Sequence, residues 1–271
     1  HADLSSLAWT VAPQIANFIL PDRIEILDRR RHILMRKILL FLLKVSSKGW
    51  RNCLDLPMKL LRLFRFQGAK LSLNNGLGYD AKFDKVLDDS NFLLGAFHTY
   101  VWASNPRVLS ELREIRPSHS PDWLLELESC AAVEKPIVVH IRRGDFLKIK
   151  ALGFLEKEYY DSSIKQMLML MPNSRIWIFS DDMPFVVRHY STGPWRDARI
   201  IDFNQEDAVS NLEAMRLGHS YILSNSTFSW WGAFLSKYIG ATVICPDIWL
   251  RGYENPMNFL PDHWNKVKVL Q

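Results

Sequence analysis

From Pro136 onward, short apolar runs alternate with segments that have one apolar face at helical spacing. The apolar runs have the length and branched residues of buried strands, at 136–141, 175–180, 198–203, 220–224 and 242–246. Helical segments are predicted between them, at 158–171, 184–190, 206–217 and 228–239. Strands that alternate with helices in this way predict a parallel sheet with right-handed crossovers.

Residues 1–118 have a mainly helical pattern, with possible strands at 24–27, 70–73 and 92–97. The Pro-Ser-His-Ser-Pro stretch at 117–121 indicates a link between two regions. We therefore predict two α/β domains, 1–118 and 119–271. The second is Rossmann-like but lacks Gly-x-Gly-x-x-G, so the sequence does not support a dinucleotide pyrophosphate loop.

Basic and acidic side chains follow the first of these strands, where it ends. His140, Arg142, Arg143 and Asp145 cluster at the carboxyl end of 136–141, the side of an open α/β sheet on which ligands bind. The planar guanidinium of arginine matches phosphate oxygens, although two solvated arginines at a strand end are the plainer interpretation. Gly144 would allow a tight turn or a positive φ.

Small polar residues follow the strand 220–224, directly before a predicted helix. Asn225, Ser226 and Thr227 are expected in its N-cap region, followed by Phe228 and Ser229. The first backbone N–H groups of a helix and its dipole favour an anion such as phosphate, whereas an ordinary cap is the alternative.

The strand 175–180 ends in Ser180, Asp181 and Asp182, for which three interpretations remain open. Met183 and Pro184 follow the aspartates, as at the capped start of a helix. A carboxylate here could also accept hydrogen bonds from a nucleobase, or bind a metal together with ligands that the sequence does not reveal. A separate question concerns Trp230 and Trp231, which are core anchors or a sugar platform; successive helix positions cannot share a face, so we expect one of the two to be buried.

Together these segments resemble the three motifs of the α-1,2-fucosyltransferases of glycosyltransferase family 11. The motif segments lie in the same order at 140–146, 179–182 and 225–233. The segments at 92–98, 243–246 and 260–264 also resemble the family. The resemblance is specific over 137–271 and weaker over 80–136. The family's Gly-Gly-x-Gly-Asn-Gln opening is absent, so we expect a shortened chain.

The resemblance implies a GT-B arrangement, with two Rossmann-like domains facing a cleft and the N-terminal one incomplete. Residues 1–118 would be the acceptor side and 119–271 the donor-nucleotide side. The implied reaction moves L-fucose from GDP-fucose to the 2-hydroxyl of a galactoside, with inversion. Another fucosyltransferase, with a different linkage or a protein acceptor, and a non-catalytic nucleotide- or sugar-binding protein are the alternatives.

The implied roles fall on the polar residues described above. Arg142 and Arg143 would be catalytic, acting on the β-phosphate. No metal and no cofactor besides the donor substrate are expected, and the acceptor would be a galactose-containing oligosaccharide or glycolipid. Substrate binding is assigned to His140, Asp145, Asp181, Asp182, Asn225, Ser226, Thr227, Phe228 and Ser229.

Composition adds a class and a charge asymmetry. The chain is 48% hydrophobic and 23% charged, as in soluble globular proteins. Its three cysteines form no Cys-x-x-Cys pair, which predicts neither a disulfide framework nor a zinc site and favours a reducing compartment. We expect a cytoplasmic protein, or a Golgi lumenal one if a missing N-terminus carries an anchor.

Residues 23–66 hold twelve Lys or Arg and three acids, a net charge of +9, which leaves −4 on the rest of the +5 chain. Solvated helix faces, an anionic membrane surface and a nucleic acid are the three explanations. No recognition motif supports the nucleic acid. The apolar run 38–43 is too short to span a bilayer.

Overall fold

The computed structural model describes residues 18–19, 71–74, 78–81, 84, 92–95, 98–147, 153–202 and 208–269. The chain divides into two compact units. The larger comprises Trp102–Asn255, Leu260–Gln271 and the short segment Asn17–Ile19. It therefore begins before the predicted boundary at 118, while the assignment of acceptor and donor roles to two domains stays a prediction.

In the smaller unit, strands β2 (Leu71–Asn74) and β3 (Phe92–Gly95) form a parallel pair. These are two of the three strands suggested by the sequence; the third, 24–27, lies outside the described residues. The chain returns to this unit at Pro256–Phe259. There the Asn258 carbonyl accepts hydrogen bonds from the backbone N–H of Tyr100 at 2.9 Å and from the Thr99 hydroxyl at 3.0 Å.

The elements that remain, in chain order, place most strands and helices of the larger unit. They are β1 (Phe18–Ile19), α1 (Tyr100–Ala103), α2 (Pro106–Glu114), β4 (Arg116–Pro117), α3 (Asp122–Glu134), β5 (Ile137–Ile141), α4 (Lys157–Leu170), β6 (Ile176–Ser180), α5 (Met183–His189), β7 (Arg199–Asp202), α6 (Ala208–Met215), β8 (Ser220–Ile222), α7 (Thr227–Phe234), β9 (Thr242–Pro246) and β10 (Asn265–Val267). Within the described residues, β1 and β4 form a small antiparallel pair.

The last six strands form one parallel sheet in the order β10-β9-β8-β5-β6-β7. The α/β class and the parallel sheet are thereby confirmed. Counted from β5, this is the doubly wound order 3-2-1-4-5-6, in which the chain progresses outward in both directions from the centre. The direction reverses between β5 and β8. Their carboxyl ends therefore flank the switch point at which such sheets bind ligands.

The core lies on the two central strands because every residue of β5 and β6 is buried. Helix α4 packs against them with Tyr160, Ile164 and Met167, the face that the sequence pattern predicted. Burying each of these side chains contributes roughly 2 kcal/mol to stability. The strands are continuous apolar runs because both faces of the sheet are covered.

Buried Arg216 explains why residues before 118 belong to the larger unit. Its guanidinium donates to the carbonyls of Arg113 at 2.8 Å and Ile115 at 2.9 Å, and it pairs with Glu213 at 2.7 Å. These bonds join the end of α2 to α6. Because Arg216 is only 4% exposed, its charge is stable there only with these partners.

The amino edge of the sheet carries a second charge cluster, centred on Glu134 at the end of α3. Its carboxylate accepts hydrogen bonds from Arg199 at 2.6 Å, Arg175 at 2.8 Å and the Trp177 indole at 2.5 Å. Burial alone would raise the pKa of Glu134, but these donors lower it to about 2. The cluster fastens α3 to β6 and β7.

Some predicted boundaries were wrong. Helix α7 ends at Phe234 instead of residue 239, because the Ser236 hydroxyl accepts from the Tyr238 N–H and donates to the Gly218 carbonyl, which closes a turn. Strand β10 was missed because only its last residue, Val267, is apolar and half-buried. No helix of the described segments is long and apolar enough to cross a membrane.

Candidate functional site

Three polar segments predicted from the sequence meet at the carboxyl edge of the central strands. Ile141, the last residue of β5, pairs with Ser180, the last residue of β6. Val139 of β5 pairs with Ile222, the last residue of β8. Parallel register therefore brings the residues after β5, β6 and β8 to one place, at the switch point of the sheet.

Asp181 holds Arg142. The Arg142 Nη1 lies 3.1 Å from the Asp181 Oδ2, and the side chains are 24% and 1% exposed. The other oxygen of Asp181 accepts the backbone N–H of Arg143 at 2.8 Å. A carboxylate with both oxygens engaged and almost no exposure orients the arginine, and it has little freedom to bind a nucleobase.

Arg143 has different surroundings. Its Nε donates to the Asp182 Oδ2 at 3.2 Å. Its guanidinium carbon lies 3.4 Å from the centre of the Phe185 ring and 5.2 Å from that of Phe154. Cation–π contacts of this kind hold the guanidinium plane in place. Arg143 therefore braces the loop.

Asp182 caps helix α5, as the capping interpretation predicted. Its Oδ1 accepts the Phe185 N–H at 3.2 Å, and Pro184 lies in the first helical turn. At 28% exposure it is the more accessible aspartate of the pair. If one of the two reads a nucleobase, the geometry favours Asp182.

Gly144 has a different purpose from the predicted one. Its φ is not positive, so the proposed left-handed turn was wrong. A Cβ at this position would instead collide with the Asp181 Oδ2. Glycine is required because the carboxylate that orients Arg142 passes directly over its backbone.

His140 lies inside the protein and joins the two strands of the switch point. Its Nδ1 is 2.8 Å from the Ser224 Oγ, and the residue has 0% exposure. Burial, followed by the positive charge of Arg142, lowers the pKa of His140 to about 3. The ring is therefore neutral at ordinary pH. Its predicted contact with a substrate stays a prediction.

Helix α7 begins as predicted, with Ser226 as its N-cap. The Ser226 Oγ accepts the Phe228 N–H at 3.3 Å, and the Ser229 hydroxyl donates to the Ser226 carbonyl at 3.0 Å. Ser229 is only 1% exposed, so a bond from it to a ligand would require that contact to break. Thr227, the first helical residue, is the exposed hydroxyl of the group.

The two tryptophans of α7 differ as expected from their adjacent helix positions. Trp230 is 4% exposed and stacks on Phe234, with ring centroids 4.6 Å apart. Trp231 is 36% exposed. The prediction that only one of them is a core residue is confirmed.

Asn225 bridges two loops, a role that the sequence did not reveal. Its amide donates to the carbonyls of Gly153 and Trp249, each at 3.1 Å. The sequence grouped it with the N-cap, but the cap is Ser226. Asp145 begins a short 3-10 turn at Asp145–Leu147; its predicted substrate contact stays a prediction.

A cavity of about 440 Å³ lies beside this bridge. Phe154, Tyr159 and Trp249 form part of its wall, and Asn225 is the one predicted site residue among those that line it. Arg142 and Arg143 do not line it. The sequence pattern gave no sign of this cavity, because its wall combines loops that are distant along the chain.

Comparison with known proteins bears on this geometry. The profile of glycosyl transferase family 11 matches residues 104–266, more than half of the chain. The chain belongs to glycosyl transferase family 11. The resemblance found in the motifs is thus confirmed.

Two curated relatives of this family 11 chain come from Escherichia coli. An alpha-1,2-colitosyltransferase is 29% identical over 150 residues, which are 53% of this chain and 51% of the relative. The O-antigen biosynthesis glycosyltransferase WbnK is 28% identical over 131 residues, 46% of this chain and 42% of the relative. The chain spans about half the length of these relatives.

Solved structures with some similarity include POFUT1 in complex with GDP and with GDP-fucose. The first has a TM-score of 0.38 at 12% identity and covers 62% of this chain and 57% of that chain. The second has a TM-score of 0.35 at 15% identity, with coverage of 58% and 55%.

Metal ligands are the last feature of the site. Across the described part of this family 11 chain, no three His, Cys, Asp or Glu side chains are grouped so that they could hold a metal ion. Asp181 and Asp182 instead bind arginines and cap a helix. Independence from metal stays a prediction that only an assay tests.

Proposed function

We propose that this protein is an inverting glycosyltransferase that moves L-fucose from GDP-fucose to the 2-hydroxyl of a galactoside. The observation that carries the proposal is Arg142, held by buried Asp181 at the switch point of the sheet in a family 11 chain. The donor would be a nucleoside diphosphate sugar, and no further cofactor enters the reaction.

The chemistry requires little besides stabilisation of the leaving group. As the acceptor oxygen attacks the anomeric carbon, the bond from that carbon to the β-phosphate oxygen breaks, and GDP leaves with the electron pair. Negative charge grows on the β-phosphate, while the acceptor hydroxyl loses its proton to a base. A donor aimed at that phosphate binds the transition state more tightly than the ground state.

The ion pairs prepare the arginines for this task. Because Asp181 is buried and bonded on both oxygens, Arg142 is oriented before a donor arrives. Preorganised donors of this kind contribute roughly 3–4 kcal/mol to catalysis. The start of α7, with Thr227 exposed, adds the positive end of a helix dipole for the diphosphate.

The relatives support the linkage and raise a second donor. An α-1,2 transferase at 29% identity favours transfer to a 2-hydroxyl. Its sugar, colitose, is the 3-deoxy analogue of fucose, so GDP-colitose is the alternative donor. A site that hydrogen-bonds the 3-hydroxyl would discriminate strongly against the deoxy sugar, whereas an apolar site would accept both.

The test is GDP release from GDP-fucose or GDP-colitose in the presence of lactose and other β-galactosides. We expect release that depends on the acceptor and a product whose new linkage is at the 2-position by NMR. Methyl 2-deoxy-β-galactoside is the matched control and should be inert. Equal transfer to the 2-deoxy compound would show a different linkage. Nucleotide binding without release above spontaneous hydrolysis for every acceptor, galactosides or proteins, would identify a binding protein.

A further inference from the structure

The cavity beside Asn225 has walls that are fixed before any ligand arrives. The Tyr159 hydroxyl donates to the Leu223 carbonyl at 2.8 Å within the core. The Trp249 backbone N–H donates to the Asn255 side chain at 2.9 Å, and that side chain donates to the Asp247 carbonyl at 2.7 Å. Together with the Asn225 bridge, these bonds make a preformed cavity of about 440 Å³, within the usual size of ligand sites.

The wall of the cavity is largely aromatic and aliphatic, and two carboxylates lie at its rim. Glu156 and Glu158 both line the cavity and are exposed. Glu156 occupies the N-cap position of α4, yet its side chain does not cap the helix. Neither carboxylate forms a hydrogen bond or ion pair with another described residue, so both can accept hydrogen bonds from a ligand.

The charges of the lining select against an anion. Glu156 and Glu158 are balanced by Arg251 and Lys268, so the lining residues carry no net positive charge. A diphosphate would find its partners at the arginines instead. A neutral ligand with one apolar face and several hydroxyls, which is the chemistry of a saccharide, matches aromatic walls and rim carboxylates.

Phe154 places this cavity next to the arginine loop. Its ring lines the cavity and lies 5.2 Å from the guanidinium carbon of Arg143. A saccharide in the cavity would therefore be separated from the arginine pair by a single side chain. This adjacency suits an acceptor that meets a donor phosphate held by Arg142.

We propose that the cavity binds the saccharide acceptor and that Glu156 and Glu158 accept hydrogen bonds from its hydroxyls. Asn225 is then a positioning residue, which ties Gly153 to Trp249 and so keeps the two walls together. This inference rests on the proposed function for the identity of the acceptor as a galactoside. The binding site itself is a separate claim.

The experiment compares the double variant Glu156→Gln, Glu158→Gln with the wild-type protein. Glutamine keeps the size of each side chain but weakens the hydrogen bonds. We expect the KM for lactose to rise about tenfold, a loss typical of charge-assisted bonds, while the KM for GDP-fucose stays within twofold. Glu114→Gln, at the exposed end of α2, is the matched control and should change neither value.

Calorimetry of lactose binding to the GDP-loaded protein separates this inference from the proposed function. If the wild-type protein transfers fucose to lactose and the double variant has an unchanged lactose KM, or an equal rise in both KM values, the cavity assignment is overturned. If the wild-type protein transfers nothing, the proposed function fails. In that case weaker lactose binding by the double variant still supports the cavity, whereas unaltered or absent lactose binding by both proteins overturns it.

Discussion

Replacing Arg142 and Arg143 by Lys, one at a time, separates a catalytic arginine from a bracing one. Both substitutions keep the positive charge and remove the planar fork. In the structure Arg142 has one bond to buried Asp181, and its guanidinium carries further donors for a phosphate. Arg143 has its Nε on Asp182 and its ring contact on Phe185.

The expected magnitudes differ because the contacts differ. A lysine at 142 has a single ammonium that is drawn to Asp181, so the transition state loses a preorganised donor. That costs roughly 3 kcal/mol, or two orders of magnitude in turnover. A lysine at 143 loses a cation–π contact and a partly exposed ion pair, about 1 kcal/mol each, mainly from stability. We expect its thermal midpoint to fall by roughly 4–8 °C.

The assay measures GDP release at saturating GDP-fucose and lactose, together with thermal unfolding of each variant. Arg142→Lys should lose turnover with a small change in midpoint, and Arg143→Lys should lose midpoint with a smaller change in turnover. Near-normal turnover in Arg142→Lys would sink its assignment. A greater turnover loss in Arg143→Lys, measured below its midpoint, would reverse the two roles.

Four further predictions follow from single features. Replacing Asp182 by Ala should weaken GDP far more than pyrophosphate if this carboxylate reads guanine; equal losses in a binding titration would show that it only braces Arg143. Excess EDTA should leave the rate of the purified protein almost unchanged, and a collapse that Mg²⁺ or Mn²⁺ restores would disprove metal independence. Because the folded pKa of Glu134 is lowered to about 2, its stabilisation is present above the ordinary value of 4.5 and is lost as the pH falls toward 2. Glu134→Gln should therefore cost about 2 kcal/mol near neutral pH, and the difference from wild type in chemical denaturation should shrink below pH 4.5; a constant difference would refute the shift. The basic segment 23–66, which lies outside the described residues, should bind anionic vesicles at low ionic strength, since each surface charge contributes on the order of 1 kcal/mol, and release them near 0.5 M salt; no sedimentation with vesicles at low salt would mean that the charge is structural.

Much of the larger unit could be predicted from periodicity. Continuous apolar runs that alternate with one-sided helical segments encode a parallel sheet covered on both faces, and α4 buries the predicted residues. The helix cap at Ser226 was also predictable, because a cap is made by neighbours in sequence. Strand β10 was not, because a short polar edge strand has no apolar run.

The sequence by itself determined which residues end the central strands and the family to which the motifs belong. Only the tertiary structure decided how those residues are paired. Asp181 meets Arg142 because β5 and β6 are neighbours in register, and Asn225 meets Gly153 because two loops close on the same edge of the sheet. The physical reason is that periodicity records which face of an element is buried, whereas contacts between distant segments depend on strand order, register and loop path.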